Sequence, residues 1–163
     1  QPQPQSDLGP SQPRVATTAM ASDAALRYAP RIGAQPASLA IGPGEQKLWA
    51  VVGMDLDGLT TPAVTLRYDA SAMEIMDVSF GPALQIDPRV PPVATIDRQN
   101  GLIRVTSTND QPLRFNSGGE VLMLRVLGGT PGDTPLVVDI PELKNGNGDV
   151  VVAAISGGRA RVQ

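Results

Sequence analysis

The sequence predicts an all-β protein: an antiparallel, roughly nine-stranded β-sandwich of jelly-roll topology, preceded by an extended Pro/Gln-rich N-terminal segment. Three observations carry that expectation. Apolar residues alternate with polar ones over short runs, most clearly Val64, Leu66 and Tyr68 against Ala63, Thr65 and Arg67, the period of a strand with one buried face. Gly (17) and Pro (16) together supply 33 of the 163 residues, which suits short strands separated by turns better than long helices. Turn signals such as Asp57-Gly58 and Asn100-Gly101 recur between the alternating runs.

Composition narrows function chiefly by exclusion. An apolar fraction of 41% in 163 residues is enough for one domain with a real core. There is no histidine and no cysteine, which removes a cysteine nucleophile, a disulfide framework, the usual zinc sites and the commonest general base at neutral pH. A net charge of −3 without a basic cluster argues against nucleic acid as a partner, because phosphates need a positive footprint. No apolar run approaches the roughly 18 residues of a membrane-crossing helix, so no transmembrane segment is expected. The chain opens at Gln1 rather than at methionine, as a processed form or an excised segment does.

Residues 1–37 read as a Pro/Gln-rich linker or tail, and 38–163 as the sandwich. Gln1-Pro-Gln-Pro-Gln5, Gly9-Pro10 and Gln12-Pro13 favour extended backbone and offer almost nothing to a core. Within this segment Val15, Ala16, Thr17, Thr18 and Ala19 form a proline-free stretch suited to adding a strand to a sheet edge. Ser22 to Tyr28 could form a short helical turn capped by Ser22, stopped by Pro30. Ser38–Ile41 is the first expected strand, ended by Gly42-Pro43-Gly44. Lys47–Met54 follows, with Leu48, Ala50 and Val52 competing with Trp49 and Val51 for the inward face.

After the turn over 56–62, two strands within 62–80 are joined by a corner in which Asp69 and Ser71 offer oxygens to nearby backbone N–H groups. Val93–Asp97 and Leu102–Ser107 form a hairpin through Asn100-Gly101. Glu120–Leu127 carries Leu122, Leu124 and Val126 inward, while its other side is unusually apolar. Leu136–Ile140 and Val150–Ile155 flank the turn over 144–149, and Arg159–Val162 closes the domain. Expected core positions are Val64, Leu66, Tyr68, Ile75, Val78, Ile103, Val105, Leu122, Leu124 and Val126.

Leu66-x-Tyr68-Asp69-x-Ser71-x-Met73-Glu74, followed by Val78, resembles the L-x-Y-D-P-x-x-L-E…V pattern of cohesin-like domains, with Ala70 in place of the proline. Gly44-Glu45, Asn100 to Val105, Gly119 to Gly128, Asn147-Gly148 and Gly157 to Val162 resemble, in order, further motifs of that family. The resemblance spans about Ser38 to the C-terminus. It implies a jelly-roll sandwich without enzymatic activity and places Trp49 and Val51 inside. It further implies a protein-interaction or assembly module of an exported bacterial protein, secreted, at the cell surface, or associated with the outer membrane or a secretion system, where such domains follow Pro-rich linkers. A protein partner or the neighbouring subunits of an assembly are then the expected ligands. Carbohydrate-binding modules share this fold, so polysaccharide binding is an alternative; a filament or oligomer subunit assembled by N-terminal strand addition is another.

Candidate sites are sparse. Asn145, Asn147 and Asp149 alternate with glycines and could present oxygens to calcium, but a tight hairpin turn explains the same residues; no other metal or cofactor is suggested. Asp55 with Asp57, and Asp69 with Glu74, are carboxylate pairs of the kind used in glycoside hydrolysis, though strand-end carboxylates are ordinarily solvated. No histidine activates a serine, and Lys47 and Lys144 sit in no recognisable motif. The catalytic expectation is therefore none. For binding, Val121, Met123 and Leu127, with Leu102 and Arg104 on a neighbouring strand, are the candidate outer face; a loop or the N-terminal tail are equally able to cover it. Of the five aromatics (one Trp, two Tyr, two Phe), Tyr68 and Trp49 fit the core, leaving too few for a flat sugar-binding platform.

Overall fold

The computed structural model describes residues 30–84, 87–108, 111–116 and 118–163. The proposed strand-addition stretch from Val15 to Ala19 and the helical turn from Ser22 to Tyr28 lie outside the described residues. The described residues form two large mixed sheets packed face to face, with no helix long and apolar enough to cross a membrane.

In chain order the strands are β1 (Arg31–Gln35), β2 (Ser38–Ile41), β3 (Gln46–Met54), β4 (Thr60–Thr61), β5 (Val64–Arg67), β6 (Met73–Phe80) and β7 (Pro92–Asp97). They continue as β8 (Leu102–Ser107), β9 (Leu113–Arg114), β10 (Gly119–Gly128), β11 (Gly132–Asp139), β12 (Ala154–Ile155) and β13 (Gly158–Val162). One sheet has five strands in the order β12-β1-β3-β10-β6, and the other six in the order β2-β13-β11-β5-β8-β7. A small ladder pairs β9 with β4. The strand count exceeds the expected nine because of short pieces that periodicity does not register. β1 lies inside the segment read as linker, so the described sandwich starts at Arg31 rather than Ser38. Of the expected strand Val150–Ile155 only Ala154–Ile155 pairs as one.

The inward face follows the alternation. Val64, Leu66, Ile75, Ile103, Val105, Leu122, Leu124 and Val126 are essentially inaccessible, as are Trp49 and Val51, and Tyr68 is buried. Val78 is half-buried and packs against the core margin rather than within it; the slip of the β10–β6 pairing between Arg125 and Val126 keeps it on the inward side, opposite Leu124. Burying each such aliphatic side chain contributes about 1.5–3 kcal/mol. The Tyr68 phenol is pushed above its ordinary value, first by burial.

The sandwich departs from a purely antiparallel plan where its two terminal segments change sheets together. β1 belongs to the five-stranded sheet and β2, two residues later, to the six-stranded one; β12 and β13 make the same transfer alongside them. β12 therefore pairs parallel with β1, and β13 parallel with β2. These partners come from opposite ends of the described chain and run the same way, a pairing no hairpin can make. Ser156 N–H donates to Ile32 O at 2.9 Å and Arg159 N–H to Ala37 O at 2.8 Å across the transfer. The indole N–H of fully buried Trp49 donates to Pro36 O at 2.6 Å, tying the turn between β1 and β2, which contains a cis Gln35–Pro36 bond, to the core.

Glycine is required at the second transfer by space. A Cβ on Gly158 would lie 2.6 Å from the Trp49 ring, and one on Gly157 would be driven into the Leu136 carbonyl oxygen. Gly157→Ala is expected to cost about 1–3 kcal/mol, as overpacking does. Gly146→Ala, where a Cβ meets nothing within 4 Å, should change stability by no more than about 0.5 kcal/mol. Urea unfolding monitored by Trp49 fluorescence compares the two directly.

Candidate functional site

The candidate outer face is split by the topology. Met123 and Leu127 lie on β10 in the five-stranded sheet, whereas Leu102 and Arg104 lie on β8 in the six-stranded sheet, and β10 pairs with β3 and β6 instead. Val121 is on neither outer surface: it is 1% exposed. A β-bulge between Glu120 and Leu122 inserts one residue into the alternation, so Val121 and Leu122 both point into the core. The loop after β6 docks on the bulge, Gly81 N–H donating to Val121 O at 2.8 Å and Ala83 N–H to Glu120 O at 2.9 Å.

Two outer faces of different chemistry result. On the six-stranded sheet, cross-strand pairing aligns Asp97, Leu102, Arg67 and Val137 in one row and Thr95, Arg104, Thr65 and Asp139 in the next. Arg67 thus stands between the apolar Leu102 and Val137, and Arg104 lies beside Leu102 in the next row, with hydroxyls and carboxylates at the margins. Among the described residues neither Arg67 nor Arg104 takes part in an ion pair. Beside Val137, where β11 passes from its β13 neighbour to β5, Ala37, Pro135, Ile155 and Arg159 border an open groove of about 460 Å³. On the five-stranded sheet, β3 and β10 present Leu48, Val52, Met54, Met123 and Leu127, with Arg125 paired to Asp77 at 3.2 Å. With Trp49 and Val51 inward, as the resemblance implied, Leu48 and Val52 fall on the outer side of β3; the apolar alternation on both sides of that strand could not by itself decide this.

The remaining candidates resolve into turn chemistry. Asn145 Oδ1 accepts from the N–H groups of Asn147 (2.9 Å) and Asp149 (3.0 Å), and Gly148 takes a φ of 83°, so these residues build a turn. Among the described residues no three acidic side chains gather as a metal site would need. Asp55 and Asp57 are exposed at the turn after β3. Asp69 Oδ1 accepts from the Ser71 N–H (2.9 Å) and hydroxyl (2.7 Å), while Glu74 pairs with Arg98 at 3.4 Å. Lys47 Nζ donates to Ala40 O at 2.6 Å, and Lys144 pairs with Glu142 at 3.4 Å; neither lysine is placed to activate a serine. Trp49, Tyr68 and Phe115 are buried and Phe80 packs against the core, so the described aromatics form no exposed platform.

No protein-family model and no curated protein matches the sequence. Solved structures do. The cohesin of a type I cohesin–dockerin complex from Clostridium thermocellum matches with a TM-score of 0.67 over 83% of this chain and 94% of its own, at 14% identity. A non-cellulosomal cohesin from the archaeon Archaeoglobus fulgidus matches with a TM-score of 0.62 over 83% and 91%, at 15% identity. One from Clostridium acetobutylicum, solved in solution, matches with a TM-score of 0.61 over 83% and 91%, at 20% identity. The chain is a cohesin-like β-sandwich in fold.

Three exposed carboxylates close its corners and give it a defined acid sensitivity. Hydrogen bonds from Ser71, Arg89 and Asn100 hold Asp69, Asp87 and Asp97 below the ordinary aspartate value of 3.8. Their folded forms bind protons less readily than the unfolded chain, so their stabilisation is complete above pH 3.8 and is lost as pH falls through the lower folded values. Urea midpoints should therefore fall over that acid interval, and Asp97→Asn should flatten the fall; carboxyl NMR titration reads the three sites individually.

Proposed function

We propose that this chain is a non-enzymatic protein-interaction module that receives a protein partner on the outer face of its six-stranded sheet. The observation that carries the reading is the fold match over nearly the whole length of cohesins, several solved as cohesin–dockerin complexes. The chemistry of the face supports it. A face on which Leu102 and Val137 sit on either side of Arg67, with Arg104 beside Leu102 and Thr65, Thr95, Asp97 and Asp139 around them, mixes apolar area with arginines and polar margins as a protein interface does. The two arginines bring planar, multi-donor groups suited to carboxylates and backbone carbonyls. With Trp49, Tyr68 and Phe115 buried and Phe80 packed against the core, the described aromatics lend no support to the polysaccharide alternative.

Strand addition as the basis of a filament is less well supported. Arg98 donates to Met76 O at 2.7 Å on the β6 edge, and Lys47 to Ala40 O on the β2 edge, devices that discourage edge pairing. The Pro/Gln-rich run before the sandwich is the basis for placing the module on an exported bacterial protein, as in the domains it resembles.

The test is capture from an extract of the cells that make the protein. A partner held by the native chain should be released by Leu102→Asp or Arg104→Glu, each weakening binding about 30-fold, the loss of about 2 kcal/mol expected of a hot spot. Leu48→Asp, on the opposite face, should leave capture intact. Retention on insoluble polysaccharide, or capture indifferent to both β8 substitutions, would refute the assignment.

A further inference from the structure

The outer face of the six-stranded sheet continues past β11 onto β13, where Ala160 and Val162 are buried and Arg159 and Arg161 face outward. Cross-strand pairing sets Arg104 opposite Thr65, Arg67 opposite Val137 and Arg159 opposite Pro135. Because Arg67 follows Thr65 by one outward position on β5, and Pro135 follows Val137 by one in the same direction along β11, the three arginines lie on a diagonal. At about 4.8 Å per strand and about 3.3 Å per residue, that diagonal is about 20 Å long.

All three arginines are exposed, and among the described residues none takes part in an ion pair. The carboxylates around them are mostly engaged. Asp133 faces Arg161 at 3.8 Å, Glu142 faces Lys144 at 3.4 Å, and Asp97, at the β7 edge, accepts from the backbone N–H and side-chain amide of Asn100. Only Asp139 in these rows is without such a contact among the described residues. Three free cations thus stand against one free anion, on a chain whose net charge is −3.

The diagonal has a hollow at each end. At Arg159 it is the apolar groove of about 460 Å³ between Pro135, Val137 and Ile155. At Arg104 it is a polar hollow of about 660 Å³ bordered by Thr60, Thr106, Ser107 and Lys144. Guanidinium groups take carboxylates through two parallel hydrogen bonds, and a face of uncompensated cations selects for a partner of opposite charge.

We propose that the partner received on this face presents an acidic segment, its carboxylates meeting Arg104, Arg67 and Arg159 and an apolar side chain entering the groove between Val137 and Ile155. The inference rests on the proposed function of the face and adds the chemistry of the partner to it.

The probe is a displayed library of random peptides of roughly 16 residues, long enough to cross the diagonal as strand or helix, selected on the full chain. Retained peptides should be enriched about threefold in Asp and Glu over the input, as charge complementarity requires. A synthetic copy of the most enriched peptide should bind about tenfold more weakly to Arg67→Glu and to Arg159→Glu, with Arg67→Gln intermediate. It should also weaken as salt rises from about 0.05 M to about 0.5 M. Ile155→Asp, at the groove, should weaken it without changing any arginine. Arg125→Glu on the opposite sheet alters net charge equally at the cost of one exposed ion pair, and should leave binding unchanged. Enrichment of neutral or basic peptides overturns the proposal, as does equal weakening by Arg125→Glu. Partner capture lost with Leu102→Asp yet indifferent to Arg159→Glu and to salt removes this inference and leaves the proposed function standing. Failure of the proposed function shows instead as capture indifferent to Leu102→Asp.

Discussion

The sandwich depends on one constraint: its two terminal segments must leave one sheet and enter the other side by side. The core closes on that flank only if the turn after β1 is held, and the Trp49 indole supplies the anchor by donating to Pro36 O while its ring fills the space beside Gly158. A buried indole N–H without an acceptor would cost about 1–3 kcal/mol. The same side chain therefore fixes the turn and is satisfied by it. Ala34 and Gly158 meet at this point because neither carries more than a methyl group.

Around that flank, polar groups close corners and leave the core to apolar packing. Thr134, fully buried on β11, accepts from Asp69 N–H at 2.7 Å through its hydroxyl and donates to Pro135 O at 3.0 Å. The corner between β5 and β6 is thereby fastened to a strand about 65 residues later in the chain, while Asp69 itself closes the corner locally onto Ser71. Among the described residues no charged side chain is buried; such groups lie at edges and on the two outer faces.

The alternation of Val64, Leu66 and Tyr68, the Asn100-Gly101 turn and the spacing of Leu122, Leu124 and Val126 were readable in sequence because each is a local consequence of strand period or turn geometry. The corner at Asp69 and Ser71 formed as the side chains suggested. β1 was not readable: Arg31, Gly33 and Gln35 between two prolines make no clear pattern, and the strand is ordered by pairing along its length with β3, with two residues of distant β12 on its other side. The burial of Val121 was hidden by the bulge, since one inserted residue inverts the facing that alternation assigns. The grouping of β8 with β10 failed for a different reason. Periodicity tells which side of a strand is apolar, and it carries no information about which sheet the strand joins.

The parallel pairing of β2 with β13 gives the domain a mechanical character. The chain enters at the start of β1 and leaves beyond Val162, at the far end of a strand whose bonds run in register from Arg159–Ser38 to Val162–Ile41. Tension between those two points pulls the paired strands past one another along their length. The ladder is loaded in shear, its bonds sharing the force instead of opening in succession as they would in a hairpin pulled at its mouth.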